Sequence, residues 1–88
     1  MKQRYYVIFD KTSKLYTSPM FFVNDDTAKR EIANIMRDEN HNFTLNPEHY
    51  DLYYLYEFDT ETAVIELPGK KQYLSNLKDL KVKVLKRG

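Results

Sequence analysis

Residues 50–58 read Tyr-Asp-Leu-Tyr-Tyr-Leu-Tyr-Glu-Phe and give the strongest strand signal in the chain. Aromatic and aliphatic side chains dominate the stretch, which is typical of a β-strand with a buried face. Residues 4–9, Arg-Tyr-Tyr-Val-Ile-Phe, have the same character. Each stretch leads through Phe-Asp and a polar turn into a weaker strand, over residues 15–22 and 63–67. The sequence therefore predicts two β-hairpins, with Pro19 marking an edge or a bulge in the first.

The two predicted hairpins resemble each other in sequence. At an offset of 49 residues, four positions carry identical residues: Tyr5 and Tyr54, Phe9 and Phe58, Asp10 and Asp59, and Pro19 and Pro68. Either an old duplication or a shared turn chemistry explains this similarity. In both cases the aspartates are predicted to cap the hairpin turns through their side chains.

A helix is predicted after each hairpin. Asn24-Asp-Asp-Thr27 is a typical helix N-terminus, with Asn24 as the cap and acidic residues at the positive end of the dipole. Its apolar positions follow helical spacing at Ala28, Ile32, Ile35 and Met36. Residues 43–49 are predicted to be a loop, and residues 72–80 a second helix through Leu74, Leu77 and Leu80. The order ββα-ββα predicts an α+β fold of two layers, an antiparallel sheet with helices on one face.

Strict alternation along the two strong strands divides their side chains between two sheet faces. We place one set beneath the helices because it holds aliphatic residues: Tyr6, Ile8, Tyr53 and Leu55. The opposite face then carries Tyr5, Val7, Phe9, Leu52, Tyr54, Tyr56 and Phe58. An aromatic surface of this size has three readings. It stacks nucleic-acid bases, it seals a homodimer, or the faces are reversed and it is the core.

Length and charge narrow the class of protein. The 88 residues suit one domain over 1–88, with residues 81–88 as a basic tail or a short extra strand. The net charge of +1 hides a strong polarity, because residues 70–88 hold seven basic residues and one acid. Residues 1–69 hold seven basic and twelve acidic residues. A basic end suggests an anionic partner, nucleic acid first, or it neutralises the acidic body of the same chain or of a neighbouring copy.

A resemblance to a known family rests on three stretches. They are residues 46–59, Asn-Pro-Glu-His-Tyr-Asp-Leu-Tyr-Tyr-Leu-Tyr-Glu-Phe-Asp, residues 5–11, Tyr-Tyr-Val-Ile-Phe-Asp-Lys, and Pro19-Met-Phe. In order and spacing, residues 5–67 resemble the small nonstructural protein of gokushovirus-type microviruses, phages with a circular single-stranded DNA genome. This sequence departs from the family pattern at His49, where Asp is frequent, and at Tyr56 and Ala63, where the pattern has Gly.

The resemblance implies a phage protein of the host bacterial cytoplasm that binds the single-stranded genome around replication or the switch to packaging. The expected nucleic-acid-binding residues are Lys70, Lys71, Lys78, Lys81, Lys83, Lys86, Arg87, Tyr5, Tyr54 and Tyr56. Lysines contact phosphates without reading sequence, so binding without strong sequence preference is expected. The alternative is a homodimeric protein–protein module that regulates phage or host replication without touching DNA.

Other classes of function have little support. His41 and His49 have no convincing nucleophile or glycine-rich oxyanion loop beside them, so we expect no enzyme. Their spacing to carboxylates matches no metal site, and no cysteine supplies a thiolate, so we expect no metal or other cofactor. The sequence contains no glycine-rich loop of the kind that binds phosphates, so no small-molecule substrate is expected. No apolar run approaches the ~20 residues of a membrane span, so no membrane partner is expected.

Overall fold

Six strands form one antiparallel sheet in the computed structural model, which describes residues 1–80. The strands are β1 (Lys2–Asp10), β2 (Leu15–Tyr16), β3 (Met20–Phe22), β4 (Tyr50–Asp59), β5 (Ile65–Glu66) and β6 (Gln72–Asn76). Between β3 and β4 lie helix α1 (Asp25–Ile35), helix α2 (Asn42–Leu45) and a single 3-10 turn (Pro47–His49). The predicted α+β class and antiparallel sheet are confirmed.

Strands β1 and β4 form the centre of the sheet. The short strands β2 and β3 both pair with β1, and β5 and β6 both pair with β4. The predicted strand over residues 15–22 is thus two strands with Pro19 between them, as expected for a residue that cannot donate to a ladder. No helix of the described residues 1–80 has the length and apolar character needed to cross a membrane.

Two predictions of local structure were wrong. The order ββα-ββα is not found, because residues 72–76 form β6 and only residues 77–80 are helical. The spacing of three residues between the leucines is also typical of a helix, which explains the wrong prediction. In the structure, a register shift in β6 leaves Leu74 unpaired and turns its side chain toward the core. Residues 43–49, predicted as a loop, contain most of α2 and the 3-10 turn. The prediction of a tail or strand over 81–88 lies outside the described residues.

Helix α1 begins where the sequence places it. The Asn24 side-chain oxygen accepts a hydrogen bond from the Thr27 backbone N–H at 2.7 Å, which satisfies one orphan donor of the first turn. Ala28, Ile32 and Met36 are buried, whereas Ile35 is 38% exposed and does not join the core. The helix thus covers the sheet with a narrower apolar stripe than the sequence predicted.

One extra residue in β4 decides which side chains face the helix. Tyr6 pairs with Tyr54 and Tyr5 pairs with Tyr56, so Leu55 is left unpaired as a β-bulge. Side chains beyond a bulge change face relative to strict alternation. Tyr54 therefore faces α1 while Tyr56, two positions on, faces away from it.

The placement of β1 side chains was right, and Tyr56 and Phe58 of β4 lie on the predicted face, but the placement of β4 residues before the bulge was wrong. Tyr6 and Ile8 pack beneath α1 as predicted, but their partners there are Leu52 and Tyr54, which were assigned to the other face. Tyr53, assigned beneath the helices, lies on the opposite face. The buried cluster consists of Tyr6, Ile8, Ala28, Ile32, Met36, Leu52, Tyr54, Leu77 and Leu80.

A polar clamp made of Arg4, Tyr6 and Asp25 joins β1 to the first turn of α1. The Tyr6 hydroxyl donates to Asp25 Oδ1 at 2.6 Å, and Arg4 donates to the same oxygen at 3.0 Å and to the Tyr6 hydroxyl at 2.9 Å. The Arg4 guanidinium also lies 3.9 Å from the centre of the Tyr54 ring. Burial, together with the Asp25 carboxylate, raises the pKa of Tyr6 to about 12. Burial opposes ionisation of Asp25 too, but the bonds from Tyr6 and Arg4 outweigh it and lower its pKa.

Two turns of the same geometry follow Asp10 and Asp59. Each carboxylate accepts the backbone N–H two residues on at 2.9 Å, which confirms the predicted capping role. Four residues on, Lys14 and Ala63 donate their backbone N–H groups to the aspartate carbonyls at 2.7 and 2.8 Å. Both adopt a left-handed backbone, with φ of 63° and 62°. Ala63 is one of the positions where the resemblance places Gly, the residue suited to that conformation.

We expect Asp25→Asn to lower the melting temperature at neutral pH and to flatten its acid dependence. The folded pKa of Asp25 is lowered, so its contribution is complete above the unfolded value of about 3.9 and is lost as pH falls through the folded value. Circular dichroism melts at several pH values from neutral down to about pH 3, below the unfolded pKa of Asp, measure this loss of stability. Asp26→Asn is the matched control in the same helical turn. Identical pH profiles for the two variants would show that the clamp contributes nothing.

We expect Ala63→Gly to stabilise the protein by about 0.5–1 kcal/mol. Relief of a left-handed conformation worth ~1–2 kcal/mol is partly offset by the backbone entropy of glycine, ~0.4–1 kcal/mol. Urea unfolding followed by circular dichroism gives the free energy of unfolding. Ala63→Val is the control at the same site and should destabilise, since a β-branched residue fits that conformation poorly. A loss of stability in Ala63→Gly would contradict the expectation.

Candidate functional site

We call the side of the sheet opposite α1 the open face. Its ring-bearing residues are Tyr5, Phe9, Tyr16, Phe21, Tyr53, Tyr56, Phe58 and Tyr73. Tyr16, Phe21 and Tyr73 are 46%, 40% and 56% exposed. Val7 lies among these rings by register and is only 3% exposed, so open-face side chains cover it. The open face is thus an aromatic layer of its own, distinct from the core beneath α1.

The first of two ring clusters on the open face lies across β3, β1 and β4. Tyr5 and Tyr56 stack with their centroids 5.0 Å apart and 16° between their planes. Phe21 lies on the other side of Tyr5, tilted, at 6.0 Å. The bulge at Leu55 produces this stack, because it brings Tyr56 opposite Tyr5. The cluster presents an uncharged aromatic platform.

The second cluster runs from β2 across to β6. Phe9 contacts Tyr16 at 4.6 Å, Tyr16 meets Tyr53 edge-on at 6.4 Å, and Tyr53 meets Tyr73 edge-on at 5.8 Å. The Lys71 ammonium lies over this cluster, 5.5 Å from the Tyr16 ring centre and 5.4 Å from that of Tyr53. Its hydrogen bond with Tyr16 raises the pKa of Lys71, so the side chain is protonated at neutral pH. The second cluster therefore carries a positive charge on its rings.

A basic loop flanks the second cluster. Strand β5 pairs with residues 57–58 of β4, and β6 with residues 51–54, so the connection between them, residues 67–71, runs beside the middle of β4. Lys70 and Lys71 lie in this exposed connection. Between the loop and β4 there is a groove lined by Tyr53, Pro68, Lys70, Lys71, Gln72 and Tyr73. The groove thus combines aromatic rings and lysine side chains in its lining.

Negative charge is concentrated on the helix side of the sheet. Glu57 pairs with Arg4 on that side, and Glu66 pairs with Glu57 and contacts Lys2 at 3.6 Å. Of the strand carboxylates in the described part of the chain, Asp51 is the one that faces the open side by register. Its oxygens are occupied, since Lys11 lies 3.5 Å away and Asn76 donates at 2.9 Å. The open face therefore offers little repulsion to an anionic ligand.

The structure brings together part of the predicted site. Tyr5 and Tyr56 lie on the open face, and Lys70, Lys71 and Lys78 are exposed, with Lys71 against the rings. Tyr54 was wrongly placed, since it is 7% exposed beneath α1 and cannot present its ring to a ligand there. Four predicted residues lie outside the described residues: Lys81, Lys83, Lys86 and Arg87.

Sequence reasoning missed four rings of the open face. Tyr16, Phe21, Tyr53 and Tyr73 were not among the predicted site residues. The pairing of Phe9 with Tyr16 follows from the hairpin turn, so that ring was within reach of sequence reasoning. Tyr53 and Tyr73 depend on the position of the bulge in β4 and on the pairing of β6, which no local pattern specifies.

The two histidines serve local structure. His41 caps α2 by accepting the Phe43 backbone N–H at its Nδ1, 3.0 Å away, and its ring lies 4.6 Å from the Phe43 ring. His49 Nδ1 lies 3.3 Å from the Thr12 hydroxyl. Within residues 1–80 the structure contains no group of three or more histidines and carboxylates able to hold a metal ion.

Comparison with known proteins places the chain in a family. No curated protein and no solved structure matches it. The family described as Phage ORF5 protein matches residues 3–80, which includes both central strands and both ring clusters. This match covers nearly the whole chain, and it agrees with the phage origin that the sequence resemblance implies. The protein accordingly belongs to the Phage ORF5 protein family and is a small phage-encoded protein.

Proposed function

We propose that this phage protein is a nonstructural accessory protein that binds single-stranded DNA without strong sequence preference. The observation that carries the proposal is the open face, an aromatic layer with exposed rings and a lysine lying on two of them. The resemblance to proteins of microviruses, whose genome is circular single-stranded DNA, supports the same ligand. On this proposal the protein acts in the cytoplasm of the host bacterium.

Aromatic rings on a sheet surface suit single strands for a physical reason. Every base has a π-face, so stacking on a tyrosine tolerates any sequence and needs bases that are free of a duplex partner. Tyr56 and Tyr5 form one platform, and Tyr53 and Tyr73 belong to another on the same face. Two separated platforms let one strand stack at more than one place.

Lysines supply the attraction to the phosphate backbone. Lys70 and Lys71 lie beside the second cluster, and Lys78 follows β6. Ammonium groups on flexible stems contact phosphates as point charges and do not read bases. The remaining basic residues of the proposed interface are Lys81, Lys83, Lys86 and Arg87, which contribute charge near the end of the sequence.

A homodimeric interaction module is the second candidate, and one observation favours it. Exposed aliphatic residues accompany the exposed rings, with Ile65 of β5 at 56% and Leu67 just after that strand at 68%. Exposed apolar surface of this kind also fits a protein partner. In that case the same rings would be buried between two copies and no DNA would bind.

We expect Tyr56→Ala and Tyr5→Ala each to weaken binding of a fluorescent oligothymidylate by about 1–3 kcal/mol, the cost of losing one stacked base. Fluorescence anisotropy titration at low salt measures the dissociation constant. Leu45→Ala is the control, since it removes an apolar side chain that is 60% exposed but lies on α2. The variants should remain folded, as circular dichroism would verify.

Light scattering on the same proteins separates the two candidates. If wild-type protein is a dimer that becomes a monomer in Tyr56→Ala, and if it binds no oligothymidylate, then DNA binding is refuted and the interaction module is correct. A wild-type protein that binds oligothymidylate and loses affinity in both tyrosine variants supports the proposal at any oligomeric state.

We also expect steep salt dependence. Each phosphate neutralised on a single strand contributes about −0.7 to the slope of log K against log salt, so four contacts give roughly −3. Replacing four basic residues by Gln should bring the slope toward zero if they contact the strand: Lys81, Lys83, Lys86 and Arg87. Lys29→Gln with Arg30→Gln on α1 is the control. An unchanged slope in the fourfold variant would place the phosphate contacts elsewhere.

A further inference from the structure

The Lys71 ammonium lies beside two tyrosine rings that a base would need. It lies 5.5 Å from the Tyr16 centroid and 5.4 Å from the Tyr53 centroid, between two rings that meet edge-on. A cation over a tyrosine is held by the ring quadrupole, and at exposed positions this attraction is weak. Lys71 and its connection are exposed. The hydrogen bond of Lys71 with Tyr16 is also at the surface, so water or a ligand can replace both contacts.

The groove beside this lysine has the size and lining of a nucleotide site. Its volume is about 520 Å³, within the ~300–1,000 Å³ typical of small-ligand sites. Tyr53 and Tyr73 supply aromatic surface, and Lys70 and Lys71 supply positive charge. This combination complements a base with its attached phosphate better than an apolar ligand.

We propose that this groove is the anchoring subsite for one nucleotide of the bound strand, and that Lys71 exchanges partners when the nucleotide enters. The base takes the ring surface of Tyr53, and the ammonium moves from the rings to the phosphate. This inference rests on the proposed function. Within the groove, it assigns the contact with the phosphate to Lys71. Lys71 thus acts as a positioning residue that shields the rings in the free protein.

The first cluster works differently. Tyr5 and Tyr56 are stacked on each other, and the ring contacts of the structure place Phe21 beside them, with no lysine near these three among the described contacts. Binding there depends on stacking alone. The two subsites therefore differ in salt dependence, and substitutions can separate them.

Nuclear magnetic resonance tests the exchange directly. Because the Lys71 ammonium lies near two tyrosine rings in the free protein, we expect the neighbouring ε-methylene protons to have a ring-shifted signal upfield of a free lysine, assigned by its loss in Lys71→Met. Adding oligothymidylate should move this signal toward the position of a solvent-exposed lysine. A Lys71 signal that stays upfield while the oligonucleotide is bound would overturn the inference.

Lys71→Met keeps the long stem and removes the charge. We expect it to weaken oligothymidylate binding and to reduce the magnitude of the salt slope by about 0.7, the share of one phosphate. Lys29→Met on α1 is the matched control and should change neither quantity. Tyr73→Ala should weaken binding without changing the slope.

The possible outcomes distinguish this inference from the function on which it rests. If wild-type protein binds oligothymidylate and Tyr56→Ala weakens it, but Lys71→Met and Tyr73→Ala do not, then the anchoring subsite is refuted and DNA binding stands. If wild-type protein binds no oligothymidylate, both are refuted. Loss of the upfield signal together with the reduced slope supports both.

Discussion

The pairing of β1 with β4 is the constraint from which the rest of the structure follows. Along most of its length the pair puts Tyr6 and Ile8 opposite Tyr54 and Leu52, which makes one continuous apolar strip for α1 to cover. The unpaired Leu55 then shifts the alternation of side chains along β4. As a result, Tyr54 faces the helix and Tyr56 faces the open side. Without that bulge, Tyr56 would follow Tyr54 into the helix side and the open face would lose the ring that stacks on Tyr5.

Each face of the sheet carries a cation on tyrosine rings, and the two have opposite character. Arg4 lies 3.9 Å from the Tyr54 ring centre and is fixed further by hydrogen bonds to Tyr6 and Asp25. Its guanidinium is a structural element that joins sheet and helix. Lys71 lies farther from its rings, in an exposed connection. The same electrostatic attraction thus stabilises the fold on one side and leaves a replaceable group on the other.

Sequence patterns predicted those features that local chemistry determines. The strands β1 and β4, the Asn24 cap and the turns after Asp10 and Asp59 each depend on residues within a few positions of one another. The faces of β4 could not be predicted, because the bulge at Leu55 depends on the pairing with β1. Strand β6 was taken for a helix because Leu74 and Leu77 have helical spacing, although Leu74 reaches the core from a bulged strand and Leu77 from the helical residues after it. The open-face role of Tyr53 was missed for the same reason, since it arises only when distant strands meet.

The central pair also joins two segments that are distant in the sequence. Lys2 pairs with Asp59, and Asp10 pairs with Tyr50, so the first ladder of the sheet brings together segments separated by the whole of β2, β3 and α1. Contacts so distant in sequence require the entropy of a long loop to be lost before they form, and such topologies fold slowly. During synthesis on the ribosome, β1 emerges well before β4. Until β4 is made, only the nearby hairpin and helix can cover Tyr6 and Ile8. The order of the strands therefore favours closure of the sheet as a late step of folding and leaves the apolar side chains of β1 exposed until then.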